Sequence, residues 1–222
     1  MAPRIVLLHG IATTASVWDK VVAELAGLGV HDVVALQRPC TGSLEKELEA
    51  IAPLTEDALV VGQSGGATLA LALASSNHSL AGAVAHEPAV GSLVPALLAP
   101  VAAAFAERGI EGLGSTLYGP SWSIEMAGVN LAAVPGELAM FRAFEPAPAR
   151  AGQGPVLVTV GAASPPRRHE AAAALHDGLG YEVLSLKGAS HFVAWDAPAV
   201  LAAAISGHLE AVSGRPAPRT RL

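Results

Sequence analysis

The chain is 222 residues long, 52% apolar, and carries a net charge of −6 spread thinly, with no basic stretch ahead of its tail. That length suits one α/β domain with an insertion, and the charge argues against nucleic acid as a partner. No stretch is apolar for long enough to span a bilayer, since the Ala- and Leu-rich run at 93–106 contains Pro95 and Pro100 and stops at Glu107.

Ile5-Val6-Leu7-Leu8 is a continuous apolar strand that ends in His9-Gly10. A loop over 11–16 leads to a predicted helix over 17–25, with Ser16 as its N-cap and Trp18, Val21, Val22 and Leu25 on one buried face. Residues 32–36 read as the second strand, 37–42 as a loop around Arg38-Pro39-Cys40, and 43–51 as a helix capped by Ser43. The third strand covers 58–62, followed by a Gly-flanked turn and a helix to residue 75 rich in Ala and Leu. Residues 80–86 make the fourth strand. The rhythm breaks over 89–150, where six prolines interrupt helical pieces around 93–107, 121–132 and 135–144 and no strand is evident. This segment is read as a helical cap insertion lying over a core made of residues 1–88 and 151–212. Residues 155–161 are the fifth strand, 169–179 a helix, 181–186 the sixth strand, 188–192 a loop, and 197–209 the last helix, capped by Asp196. Residues 213–222, with Pro216, Pro218 and three Arg, are expected to be a disordered tail.

Apolar strands alternating with helices predict a mostly parallel sheet of about six strands with helices on both faces. In such sheets the working loops lie at the carboxyl ends of the strands. His9-Gly10, the turn at Ser64, His86-Glu87, 161–164 and His191 all fall at such ends. The turn reads Gly62-Gln63-Ser64-Gly65-Gly66 between a strand and a helix, the setting in which Gly-x-Ser-x-Gly lifts a serine hydroxyl clear of a sheet.

With Leu7-Leu8-His9-Gly10 near the start, this turn in the middle and Gly188-Ala189-Ser190-His191-Phe192 near the end, the chain resembles the α/β-hydrolase superfamily, and its small esterase-like members in particular. The resemblance spans nearly the whole chain. It implies Ser64 as nucleophile, His191 as the base that takes its proton, and the backbone N–H groups of Gly65 and Ile11 as donors to an oxyanion. His9 is expected to be structural.

The acid departs from the family pattern. Its usual Asp would follow the fifth strand, where this chain reads Gly161-Ala162-Ala163-Ser164-Pro165-Pro166, with no carboxylate before Glu170. Some members carry the acid one strand earlier, and here that exit is Ala85-His86-Glu87-Pro88. A carboxylate directly after a buried run is costly unless paired, and alternation puts Glu87 on the side of Ala83 and Ala85, with His86 opposite. Glu87 is the expected partner of His191. The other reading has Glu87 bonded to loop or helix-terminal amides, leaving a Ser64–His191 dyad supported by Ser164 or water.

His86, Trp122, Met126 and Phe141 are candidates for the substrate pocket, whereas Trp18 is expected in the core. Cys40 has no histidine placed near it and reads as an unreactive loop residue. There is no His or Cys cluster with metal spacing and no Gly-x-Gly-x-x-Gly after the first strand, so no cofactor or metal is expected. One cysteine and an N-terminus without signal-peptide features lead to an expected cytoplasmic location. The resemblance thus implies hydrolysis of a small, largely apolar carboxylic ester or lactone through an acyl-enzyme. A lyase using Ser and His as a proton relay, as in hydroxynitrile cleavage, and a non-catalytic ligand-binding protein are the alternatives.

Overall fold

A computed structural model describes residues 2–214. The segment expected to be a disordered tail therefore falls, apart from a turn at 213–214, outside the described residues. Six strands, β1 (Ile5–Leu8), β2 (Val33–Leu36), β3 (Leu59–Gln63), β4 (Gly82–His86), β5 (Val156–Gly161) and β6 (Glu182–Leu186), form one sheet in the order β2-β1-β3-β4-β5-β6. Every pairing is parallel. The four central strands are buried along their whole length, as their largely Val, Ile, Leu and Ala runs require when both faces are covered. β2 and β6 are the edges, and β6 is exposed except at Leu186. Because all strands run the same way, all their carboxyl ends lie on one rim.

The covering helices are α1 (Asp19–Gly27), α2 (Leu44–Thr55), α3 (Gly65–Ser75), α4 (Ala99–Tyr118), α5 (Val134–Arg142), α6 (Pro166–Leu179), α7 (Val193–Asp196) and α8 (Pro198–Val212). α3 is buried from Gly65 to Ala74, which explains why it is apolar on every side. Its neighbour β3 crosses it closely. A Cβ on Gly62 would collide with the carbonyl of Gly66, and one on Gly66 with the carbonyl of Leu8.

Between β4 and β5 the described chain is helical, with α4, a 3-10 stretch at Ile124–Ala133 and α5 as its main parts. The first piece begins later than its sequence suggests, because Pro100 sits in the opening turn of α4, where a missing N–H does no harm. α4 then kinks at Gly109, whose φ is 62°. The segment is fastened to the loop after β1 by three bonds to consecutive carbonyls. The Tyr118 hydroxyl donates to Ile11 O (2.7 Å), Trp122 Nε1 to Ala12 O (2.9 Å) and Asn130 Nδ2 to Thr13 O (3.1 Å).

Helix ends differ from the expectations most. Ser16 pairs with the Thr14 hydroxyl and caps nothing; it lies in a 3-10 turn, Ala15–Trp18, that precedes α1. Ser43 makes no side-chain capping bond, and α2 continues past residue 51, through Pro53, to Thr55. α6 starts at Pro166, not at 169, because proline is tolerated in a first turn. Asp196 ends the short helix α7 and does not cap α8, whose N-cap position is Ala197.

Candidate active site

Ser64 stands between β3 and α3 at φ 56°, ψ −119°, a conformation that side chains rarely adopt. Strain of this kind costs of order 1–3 kcal/mol and persists only where the surroundings enforce it. Here the Ser64 N–H donates to His86 O (2.9 Å), and the Ser64 carbonyl accepts from Thr68 N (3.0 Å) and the Thr68 hydroxyl (3.2 Å). The hydroxyl-bearing turn is thereby tied to the exit of β4 and to the first turn of α3.

The exit of β4 carries the acidic group. Glu87 is buried, also at positive φ (51°), with its N–H donating to Thr159 O (3.0 Å). Its Oε2 lies 2.8 Å from His191 Nδ1. Its Oε1 accepts from Gly161 N (2.9 Å) and from the Ser164 hydroxyl. Arg168, from the first turn of α6, places Nε 3.6 Å from Oε2 and donates through Nη1 to the Glu87 carbonyl (3.2 Å). Burial alone would raise the Glu87 pKa. The bond from His191, with the charges of His191, His86 and Arg168, overcomes it and holds the carboxyl well below the usual range. His191 is shifted down by burial first and by the Arg168 charge second, against the pull of Glu87. With Nδ1 engaged by Glu87, Nε2 stays buried and unpartnered, a free lone pair on a ring held in one orientation.

Tyr118 joins the two halves. Its ring stacks on His191 at 5.6 Å between centroids, and its hydroxyl lies against the Ser64 side chain. A Cβ built on Gly10 would sit 2.5 Å from that hydroxyl and 3.1 Å from Ser64 Cβ, so the glycine of the His9-Gly10 pair is what lets the three approach. A Cβ on Gly65 would lie 3.3 Å from Ile11 N, so the two residues expected to supply oxyanion donors are close neighbours. The Gly65 amide opens α3, where first-turn N–H groups lack helical partners.

Two spaces meet at this centre. A small apolar slot of about 20 Å³ is lined by Ser64 and Gly65 with Ile11, Val101, Leu138 and Phe141. A groove of about 460 Å³ runs past His191, Tyr118, Leu97, Pro100, Arg167 and Arg168. Val101, Leu117 and Arg168 border both.

Of the pocket candidates, the structure brings only Phe141 to the slot. Trp122 is turned away to bond Ala12 O and packs over Gly114, while Met126 lies at a separate depression beside Val17 and Trp195. His86 lines neither space: it is buried between the Thr159 hydroxyl (2.9 Å) and Ser190 O (3.0 Å), and burial drives its pKa down to about 4, so it is a neutral spacer within the rim. Trp122 and Met126 of the helical segment seat against the loop after β1 and beside Val17 and Trp195, contacts that composition does not reveal. Cys40 is buried, and burial pushes its thiol up to about 12, so it stays protonated. Among the described residues no group of three His, Cys, Asp or Glu is arranged to hold a metal ion, and no helix is long and apolar enough to cross a membrane.

Three contributors were not foreseen: Arg168, the Tyr118 hydroxyl, and a buried cluster around Arg38. Arg168 did leave a signal. Two arginines in the opening turn of α6, where the helix dipole disfavours cations, call for a nearby anion, and Glu87 is there.

A family model for the alpha/beta hydrolase family matches residues 5–204. Among solved structures, the enol-lactonase from Burkholderia xenovorans LB400 is similar over 94% of this chain and 92% of its own, at 19% identity and a TM-score of 0.68. The pyrethroid hydrolase PytH is similar over 96% and 99%, at 19% identity and a TM-score of 0.71. The carboxylesterase CesB from Bacillus subtilis is similar over 94% and 84%, at 16% identity and a TM-score of 0.63. No curated protein sequence matches the chain. At such identities the structural likeness speaks for the fold, and the family match, which takes in all six strands, speaks for descent: the chain belongs to the alpha/beta hydrolase family.

Proposed function

We propose that the protein is a serine hydrolase that cleaves a small carboxylic ester or lactone through an acyl-enzyme. The observation that carries this reading is the His191–Glu87 bond of 2.8 Å, which leaves the other imidazole nitrogen without a partner on the rim that also carries the strained Ser64. Ser64 Oγ attacks the carbonyl carbon while His191 Nε2 takes its proton. The resulting oxyanion is met by the Ile11 and Gly65 N–H groups, each worth about a hundredfold or more in turnover. His191 returns the proton to the leaving alcohol, the carbonyl re-forms and Ser64 carries the acyl group. Water, deprotonated by His191, then attacks the acyl carbon, and Ser64 leaves with the proton. Through both halves ionised Glu87 fixes the ring and stabilises the imidazolium, and loss of such an acid lowers turnover by about ten-thousand-fold in serine proteases.

The two spaces give the substrate a direction. The leaving oxygen must lie near His191, so the roomier groove takes the alcohol portion and the narrow apolar slot takes the acyl chain. A short acyl group on a larger, apolar alcohol fits this division. Likeness of fold to a carboxylesterase and an enol-lactonase points to the same bond type.

A fluorophosphonate at neutral pH should label Ser64 and leave Ser64→Ala unlabelled. A panel of esters, lactones and thioesters of graded acyl length should yield free acid, fastest with short acyl chains. Absence of labelling in folded protein would reject the serine mechanism. An aldehyde formed without uptake of water would assign the site to a lyase instead.

A further inference from the structure

The carbonyl of Gly10 accepts three hydrogen bonds where one would satisfy it. Donors are His9 Nδ1 (2.9 Å), the Thr13 hydroxyl (3.0 Å) and Arg38 Nη2 (3.3 Å). The histidine's role follows from its other nitrogen. Nε2 accepts the Arg38 backbone N–H (3.2 Å), so it bears no proton, and Nδ1 must carry the one that points at Gly10 O. All three side chains are buried.

That carbonyl belongs to the same peptide unit as the Ile11 N–H. We propose that His9, Thr13 and Arg38 polarise the Gly10–Ile11 peptide so that the Ile11 N–H becomes a stronger, fixed donor to the oxyanion, which makes Arg38 and Thr13 positioning residues of the reaction. Donors on a peptide oxygen draw electron density away from its nitrogen, and hydrogen bonds in such a chain strengthen one another. The peptide plane is also clamped from both sides. Arg38 Nε holds the preceding carbonyl, His9 O, at 2.8 Å, and Tyr118 holds the following one, Ile11 O, at 2.7 Å.

Arg38 carries the charge for this arrangement. It is fully buried and held by Glu47 Oε2 (3.0 Å), from α2, and Glu137 Oε1 (2.6 Å), from α5. A buried guanidinium is tolerated only when paired, and a pair of carboxylates alone would serve for that. What the carboxylates do not explain is why the guanidinium gives two of its N–H groups to the consecutive carbonyls of His9 and Gly10. The same helix that supplies Glu137 supplies Phe141, whose ring covers Gly65, so both halves of the oxyanion site are set from α5.

The inference rests on the serine-hydrolase reading, so wild type is first labelled with a fluorophosphonate; failure there is failure of that reading. Thr13→Val and Arg38→Lys are then compared with wild type. Thr13→Val removes one donor without unpairing a charge, and it keeps the test valid if Arg38→Lys does not fold. In each variant kcat should fall roughly tenfold with KM unchanged, as for partial weakening of one oxyanion donor. Affinity for a trifluoromethyl ketone, which forms an oxyanion on Ser64, should fall in proportion to kcat. The Ile11 amide proton should move upfield in the ¹⁵N–¹H spectrum of the free protein, a readout that needs no catalysis. Unchanged kcat and ketone affinity in folded Thr13→Val, an unmoved Ile11 amide proton, or a loss confined to KM would each overturn the proposal.

Discussion

The exits of β4 and β5 lie side by side on the rim and are built in opposite ways. β4 ends in two buried polar side chains, His86 and Glu87, the second forced to positive φ. β5 ends in Gly161 and two exposed alanines before Ser164, none of them charged. The parallel register sets His86 against Thr159 and so brings the Glu87 side chain level with the end of β5. There the Gly161 N–H and the Ser164 hydroxyl receive one carboxylate oxygen while His191 takes the other. One exit supplies the charge and its neighbour supplies donors that hold it. A carboxylate at the β4 exit can therefore reach the same histidine as one at the β5 exit would, because adjacent parallel strands end at the same place.

The largest effect should come from removing the charge. Glu87→Gln keeps the shape and one acceptor oxygen but cannot stabilise an imidazolium. Turnover should fall by about a thousandfold or more, against the ten-thousand-fold seen when the acid of a serine protease is made neutral. A loss under tenfold, measured with the best substrate of the ester panel, would reduce the site to a Ser–His dyad. The second variant tests whether the exits are interchangeable. In Glu87→Gln, the further change Ser164→Asp puts a carboxylate on β5's side of the same carbonyl and amide group, and should recover about tenfold of the lost turnover. In wild type, Ser164→Asp alone should lower activity, because two carboxylates at one site cannot both ionise.

Ser164→Ala probes the weaker partner. It deletes one donor to Glu87 and leaves the Gly161 N–H, His191 and Arg168 in place. Loss of a hydrogen bond to a charged group is worth about 1.5–3 kcal/mol of stability, and turnover should fall by less than a tenth as much as in Glu87→Gln. Thermal melts beside kinetics separate the two effects.

Much of this was legible in the residues, for identifiable reasons. The runs at Ile5–Leu8 and Leu59–Gln63 are apolar at nearly every position because both sheet faces are covered, and that pattern needs no partner to be read. Glycines at 62, 65 and 66 around Ser64 answer to close contacts with their own helix, the end of β1, the loop after it and Phe141. Helix ends were read poorly where Ser16 turned its hydroxyl to Thr14 inside a 3-10 turn, whereas Ser43 does stand at the N-cap position of α2 but without a side-chain capping bond. Glu87 could be singled out by the expense of burying it, but its four partners come from residues 74 to 104 positions away. The orientation of Trp122 and the Tyr118 hydroxyl depends on how the helical segment seats on the loop after β1, which no local pattern encodes.

The finest test of the two exits is the pH dependence set by Arg168, which reaches from the helix after β5 to the acid after β4. In the proposed mechanism His191 works as a base only when neutral. Burial and the Arg168 charge hold its pKa below the ordinary 6.5, so the acidic limb of kcat/KM should fall below pH 6.5. Arg168→Met removes one of the two lowering influences and leaves Glu87 pulling upward, so the limb should move to higher pH. The alkaline plateau should change little by comparison. Stability should follow the same sign. Glu87 and His191 both bind protons less readily in the fold than in the unfolded chain, so their contribution is present at neutral pH; the His191 share drains away as pH falls through and below 6.5, and the Glu87 share only below 4.5. In Arg168→Met the His191 share of that loss should shrink, because its folded pKa lies nearer its ordinary value. A limb that stays put, or moves to lower pH, would mean that Arg168 acts on Glu87 alone and that the charge on the β5 side does not reach the histidine.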